Sequence, residues 1–453
     1  EKNEYWANCR QSCEPGEIDP NDAPEYQTPW TCSVIGGSTP SPSPQPSPSP
    51  PPSPTPSPAP NPVPGMAFTT STAGSGKARL FEFVDALTAL PAAGSKYRAV
   101  RSSGGAAGGV VSESQGYGLL LAGSAPDGDA DALAGMLFAV LAMEQESSPP
   151  SWLDEVGQWA YDTCKQFYMS STVASSSGNH RIVKLGACWG GWDGDGQNPS
   201  YHAPGVYRLC RNYMKSHDTK YGSSANEGEN WEADWNKVIA TTYKVFEATQ
   251  CPSTGLVPNW AKVYEEGQSL RAETGFSGSG TPGAEYGSEA SRTVWRVTLD
   301  YLLFPSEAGD AAAFLDPLAT HLEDKETNGN WATALDVDGS CLVDSVHSSW
   351  SWNMFMAGPT FSCLVCPANS VQEDRQQELI DAAGNRVASK AIEDYYSGSW
   401  IAISTITLNG DLLRAADRIG LLGSASTTST TTAAPTTQAT TALPTTTSPS
   451  GGS

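Results

Sequence analysis

The sequence predicts an all-α domain whose helices close into an antiparallel toroid, and three observations carry that expectation. Apolar residues recur at three- and four-residue spacing in about ten separate stretches. Alternating strand patterns are scarce, and Gly-rich segments separate the stretches. Helices of this number, with long loops on one side, suit a toroid better than a four-helix bundle.

Composition divides the chain before any helix is placed. Residues 1–37 hold Cys9, Cys13 and Cys32 in a segment too small for an unaided core, so disulfides must staple it. Its Tyr5, Trp6, Tyr26 and Trp30 form either a stacking platform for sugar rings or the few hydrophobes that hold the module together. Residues 38–65 are a Pro-Ser repeat, an extended polyproline spacer. Residues 424–453 are a Thr-rich tail, too poor in apolar side chains to offset the entropy of ordering and read as disordered. Both low-complexity segments are O-glycosylated stalks or bare linkers. Residues 66–423 form the one block large enough for a substantial core.

The expected helices follow in order: 78–90, 113–123, 129–145, 151–168, 203–217, 233–250, 289–304, 311–322, 375–396 and 399–410. Lys and Arg number 26 against 49 Asp and Glu, a net charge of -23, which repels nucleic acid and anionic membrane surfaces. No apolar run approaches the ~20 residues of a membrane span. The chain opens on Glu1 rather than Met, as a processed or truncated product does, and retains no signal peptide. Ten cysteines beside mucin-like stalks point to an oxidising compartment, outside the cell or in its wall. Cys363 and Cys366 stand in CxxC spacing, but neither a second CxxC nor a nearby His cluster supports a metal or redox site.

Glu113 is the residue that demands a role. It lies in "VVSESQGYGLLLAG" (110–123), where Ser112 and Gln115 form a capping box that puts it in the first turn of a helix. The helix dipole there favours a charged carboxylate, so a general acid needs burial or a second carboxylate to raise its pKa. The alternative is a plain acidic helix start. Asp127, Asp129 and Asp131 suggest a calcium loop, but Ala132 and Phe138 occupy the positions that need Gly and Glu. Trp189, Trp192, Tyr201, Trp260, Trp350 and Trp352 fall in or beside Gly- and Pro-containing loops, where rings stack on sugars as carboxylates work nearby. Serine-nucleophile and phosphate-binding motifs are absent from the sequence. Paired carboxylates remain.

The motifs "VVSESQGYGLLLAG", "DGDADALAGMLFAV", "NPSYHAPGVYRL", "TGLVPNWAKV" and "SEASRTVWRVTLDYLLF" resemble, in order, the landmarks of glycoside hydrolase family 8, over most of residues 78–420. The resemblance implies an (α/α)6 barrel and endo-acting hydrolysis of β-1,4-glucan, with xylanase and chitosanase as alternatives inside the family. It implies Glu113 as proton donor and Asp129 as the residue that binds and distorts the sugar. Glu289 takes the base position, where Ser and Glu replace the family's usual Tyr and Asp; Glu285 is the fallback. Tyr117, Trp189, Trp192, Tyr201, Trp260, Arg292 and Trp350 are expected to bind the sugar chain. Arg292 and Arg296 orient carboxylates, or pair with Glu289 and Asp300 along one helix. The implied mechanism is single-displacement inversion by two carboxyls, with no metal or cofactor.

One departure stands out. Only sixteen positions separate Glu113 from Asp129, where the family has room for a further helix, so one barrel hairpin is expected to be shortened. A second reading follows from it: a carbohydrate-binding wall protein that no longer cuts. A third, a structural mucin-like glycoprotein, rests on the stalks alone.

Overall fold

A computed structural model describes residues 66–422 apart from 72–74, 90–98, 101–127, 187–189, 223–229, 279, 327–330, 332–334, 338 and 367–370. The Cys-rich module, the spacer, the tail and the segment holding Glu113 and Tyr117 lie outside the described residues, as does Trp189.

Eleven helices are described: α1 (Ser75–Leu87), α2 (Gly128–Glu144), α3 (Leu153–Ser171), α4 (Pro204–Tyr221), α5 (Trp231–Thr249), α6 (Ser288–Leu303), α7 (Gly309–Lys325), α8 (Met354–Phe361), α9 (Glu373–Ala388), α10 (Tyr395–Leu408) and α11 (Asp411–Arg418). The helices α2, α4, α6, α8 and α10 stand side by side in that order, and α1 packs against α10. From outside, α3 covers α2 and α4, α5 covers α4, α7 covers α6, and α9 covers α8 and α10. The result is the alternation of inner and outer helices expected of a helical toroid.

Burial separates the two sets. Every residue of α6 from Ala290 to Leu303 is buried, as befits a helix enclosed on all sides, whereas α3 buries one stripe and exposes the rest. An enclosed helix must satisfy its polar groups internally. On α10, Thr405 and Thr407 donate to the carbonyls of Ile401 (2.7 Å) and Ile403 (2.8 Å), and the indole N–H of Trp295 on α6 donates to Thr407 Oγ1 at 3.0 Å. The charges pair across helices. Arg296 on α6 meets Asp131 on α2 at 2.9 Å, both 0% exposed, and Arg208 on α4 meets Asp300 on α6 at 2.9 Å. Asp300 therefore takes Arg208 as partner, not Arg296 as its own helix spacing suggested.

Two disulfides tie the described residues together. Cys164–Cys210 joins α3 to α4, and Cys251–Cys341 joins the loop after α5 to a loop ahead of α8. The thiols of Cys363 and Cys366 are buried, and burial pushes both up in pKa, away from the thiolate.

Three features depart from the sequence reading. The helix expected over 375–396 ends at Ala388, and its last two residues belong to the next helix, because Asp394 Oδ1 accepts from the amides of Tyr396 and Ser397, both at 2.9 Å, and starts α10 there. The short α8, which contains Gly358 and Pro359, and the short α11 were not expected. A three-stranded antiparallel sheet of β1 (Asp193–Gln197), β2 (Ala261–Glu266) and β3 (Ser269–Glu273) was also missed. Its first strand reads Asp-Gly-Asp-Gly-Gln, as turns do. The β2–β3 hairpin closes through Gly267 at φ +65°, the first position of a tight turn whose twist matches the strands.

Removing one partner of a sealed ion pair leaves an uncompensated charge. Asp131→Ala is expected to lower the unfolding free energy by about 3–5 kcal/mol in urea titration; a loss under about 1 kcal/mol, the range of exposed pairs, would contradict the burial of Arg296.

Candidate active site

The first turn of α6 gathers the site. Glu289 stands there, half-buried. Its Oε2 accepts from Asn198 Nδ2 at 2.8 Å and from Arg292 Nη2 one turn along the helix. Among the described residues no hydrogen bond engages Oε1, so the carboxylate is anchored there through one oxygen.

Asn198 is fully buried, and its own orientation is fixed. It caps the 3-10 turn Pro199–Tyr201: Oδ1 accepts from Ser200 N at 2.9 Å and Ser200 Oγ at 2.8 Å. With its oxygen so used, its amide must point at Glu289.

A second buried asparagine places the helix itself. Asn259 Oδ1 accepts from Gly287 N (3.2 Å) and Ala290 N (2.9 Å), and its Nδ2 donates to Pro282 O at 3.0 Å. It supplies from a distant loop the side-chain cap that Gly287, at the helix's own N-cap position, does not give. The close approach requires glycine at 287: a Cβ there would lie 2.9 Å from both Asn259 Nδ2 and Glu285 Oε2. The fallback carboxylate Glu285 thus also borders the helix start.

Beneath these residues lies a neutral imidazole. Gln197 Nε2 donates to the carbonyls of Val183 (2.9 Å) and Gly191 (2.8 Å), so its oxygen faces His202 Nε2 at 2.9 Å. His202 Nε2 therefore carries the hydrogen, and Nδ1 accepts from Thr242 Oγ1 at 3.0 Å. Burial, reinforced by the Arg296 guanidinium, pushes His202 down to about 3.

The aromatic residues divide sharply. Trp260 and Trp350 are buried and offer no face to a sugar, which corrects the expectation for both. Trp260 donates to Thr281 Oγ1 at 2.7 Å and packs its edge against Tyr201, 6.1 Å between centroids; Trp350 packs on Phe361. Tyr201 and Trp192 are half-buried. Trp192 donates to Val173 O at 3.3 Å beside the ring of His180. The exposed ring is Trp352, 60% accessible, two residues after the one expected to bind sugar. Arg292 is buried and holds Glu289 rather than presenting itself to solvent. Asp129 is exposed in the first turn of α2, two residues from the buried Asp131.

No family model matches the chain. The chain is 26% identical over 181 residues to Endoglucanase 2 of Ruminiclostridium josui, covering 40% of this chain and 31% of that protein. It is 27% identical over 195 residues to Endoglucanase A of Acetivibrio thermocellus, covering 42% and 32% respectively. The matched part thus spans about a third of the length of these curated relatives. In structure, it superposes on Rex8A from Paenibacillus barcinonensis, complexed with xylose, with a TM-score of 0.52 at 14% identity, over 77% of this chain and 97% of that one. The domain has the fold of the family 8 glycoside hydrolases.

Within this family 8 fold, sequence reasoning missed Asn198 and Asn259, although both lie in stretches that carried the resemblance. Their signal was an Asn before Pro in "NPSY" and an Asn after Pro in "VPNW", positions where an asparagine side chain caps a turn or a helix start.

The depressed pKa of His202 has a pH consequence. Its ordinary value is 6.5, so the unfolded chain takes up a proton that the folded one refuses. The stabilisation is present above pH 6.5 and is lost as pH falls toward 3. His202→Gln is therefore expected to be less stable than the parent at pH 7.5 in urea titration. The gap should narrow by about 1.4 kcal/mol per pH unit below 6. A gap that stays constant with pH would show that His202 takes up its proton as readily in the fold as in the unfolded chain.

Proposed function

We propose that this chain is a secreted endo-acting hydrolase of β-1,4-glucan that works by single displacement. The observation that carries the reading is the arrangement of Glu289: a carboxylate at a helix start, held through one oxygen by Asn198 and Arg292. In this mechanism Oε1 of Glu289 takes a proton from water as the water oxygen bonds to the anomeric carbon. Glu113 gives its proton to the glycosidic oxygen as the bond from that oxygen to the anomeric carbon breaks. The two carboxyls then stand about 6.5–9.5 Å apart with the water between them.

Asp129 binds the sugar at the cleavage point, and Tyr117, Trp189, Trp192 and Tyr201 line its path. Trp352 joins them as an exposed platform in the loop ahead of α8. The relatives named as endoglucanases favour a glucan over xylan or chitosan. Two disulfides, one of them between an outer and an inner helix, suit an oxidising, extracellular setting. No helix among the described residues is long and apolar enough to cross a membrane.

Reducing-end release from a soluble cellulose derivative, with xylan and chitosan alongside, tests the reading. Glu113→Gln and Glu289→Gln are each expected to lower kcat at least ~10²-fold. Asn198→Ala is expected to lower kcat about tenfold with KM little changed, because it frees the base without touching sugar. Full activity in Glu289→Gln would move the base to Glu285. Glucan binding with no release of reducing ends by the parent would make the chain a binding protein.

A further inference from the structure

The outer helix α3 carries two large rings that nothing in the fold explains. Trp152 is 42% and Trp159 54% exposed, on a helix whose opposite stripe packs on α2 and α4. Buried aromatic packing is plentiful in this domain, so two indoles left in water on one helix are a departure from its own pattern.

Their spacing is regular. Trp152 already has helical backbone angles (φ -85°, ψ -7°) and its carbonyl accepts from Val156 N at 3.1 Å, so it continues the frame of α3. Seven residues in that frame bring Trp159 to within about 20° of the same direction, roughly 10.5 Å along the axis. Glu155 falls between the rings on this face, and Asp162 and Gln166 extend the line. All three are exposed, and among the described residues no hydrogen bond or ion pair engages them. Their neighbour Asp154 is different: it pairs with Lys220 at 2.6 Å.

We propose that this face of α3 is a second glucan-binding surface, separate from the site at α6. Successive rings of an extended β-1,4-linked chain are turned by half a rotation, so alternate sugars present the same flat C–H face. Two indoles one such repeat apart stack on alternate rings, and the carboxylates of Glu155 between them and Asp162 beyond them accept from ring hydroxyls. The interleaved acids disfavour a protein partner, which would need a continuous apolar stripe, and the net charge of -23 disfavours an anionic one. A neutral polyol meets both conditions.

The surface stands apart from the chemistry. Glu144 at the end of α2 pairs with His217 near the end of α4, and Asp154 at the start of α3 pairs with Lys220 there. The start of α3 is thus at the C-terminal end of α2, about 20 Å along that helix from Asp131, which is the residue held against α6. A chain bound on α3 does not fill the cleft; it keeps the enzyme on its polymer between cuts.

The glucan identity rests on the proposed function, so the test separates the two. Binding of the full chain carrying Glu289→Gln to phosphoric-acid-swollen cellulose is measured by depletion, with and without Trp152→Ala/Trp159→Ala. The double variant is expected to bind about tenfold or more weakly, with thermal unfolding unchanged and Trp159→Tyr retaining most of the affinity. In the wild-type background, kcat/KM on short soluble cello-oligosaccharides should be unchanged. Equal binding with and without the indoles, or no binding by the parent, overturns the surface. Loss of oligosaccharide hydrolysis in step with binding also overturns it, since that would be damage to the domain. If binding depends on the indoles while the wild type releases no reducing ends, the surface stands and the hydrolase reading fails.

Discussion

The ion pair between Arg296 and Asp131, sealed from water at 2.9 Å, is the constraint on which the rest of the domain depends. Neither charge tolerates that depth alone, so α2 and α6 are held in one register. That register sets where Asp129, two residues before Asp131, and Glu289, seven before Arg296, stand relative to each other. The same guanidinium helps keep His202 neutral, and His202 in turn links Gln197 to Thr242 on α5. One buried charge therefore organises the floor of the site from three directions.

Above that floor, precision comes from asparagines rather than from more charge. Asn259 fixes where α6 begins, and Asn198 fixes where its first carboxylate points. Each is itself pinned by backbone partners, so Glu289 is placed by groups whose own freedom has already been removed. Loops before α4 and α6 supply both asparagines. The inner helices supply rigidity and the loops supply direction.

Much of this was legible in the sequence where one physical rule acts alone. Helices with a long apolar stripe, such as α5 and α7, appeared near their expected bounds, and the all-α character followed. The rule failed where a competing signal was stronger. Asp394 restarts a helix in a stretch that looked continuous, and Asp193–Gln197 forms a strand in a sequence of turn residues because β2 offers it an edge. At the site, the motif placed Glu289 correctly at a helix start. It did not distinguish Trp350 from Trp352, because two tryptophans two residues apart look alike until the fold buries one. Nor did it separate Asp129 from Asp131, whose difference is a partner 165 residues away. Partners from distant loops leave no periodic trace.

In the proposed reaction, water activated by the carboxylate at the start of α6 attacks the sugar from the face opposite the departing oxygen. Proton NMR of freshly cut soluble β-glucan, recorded before mutarotation, reads that step directly through the anomeric signal of the new reducing end. Single displacement predicts that the α-anomer forms first and decays toward equilibrium. A β-anomer formed first would mean that configuration is retained through a covalent intermediate, and the role assigned to Glu289 would be wrong.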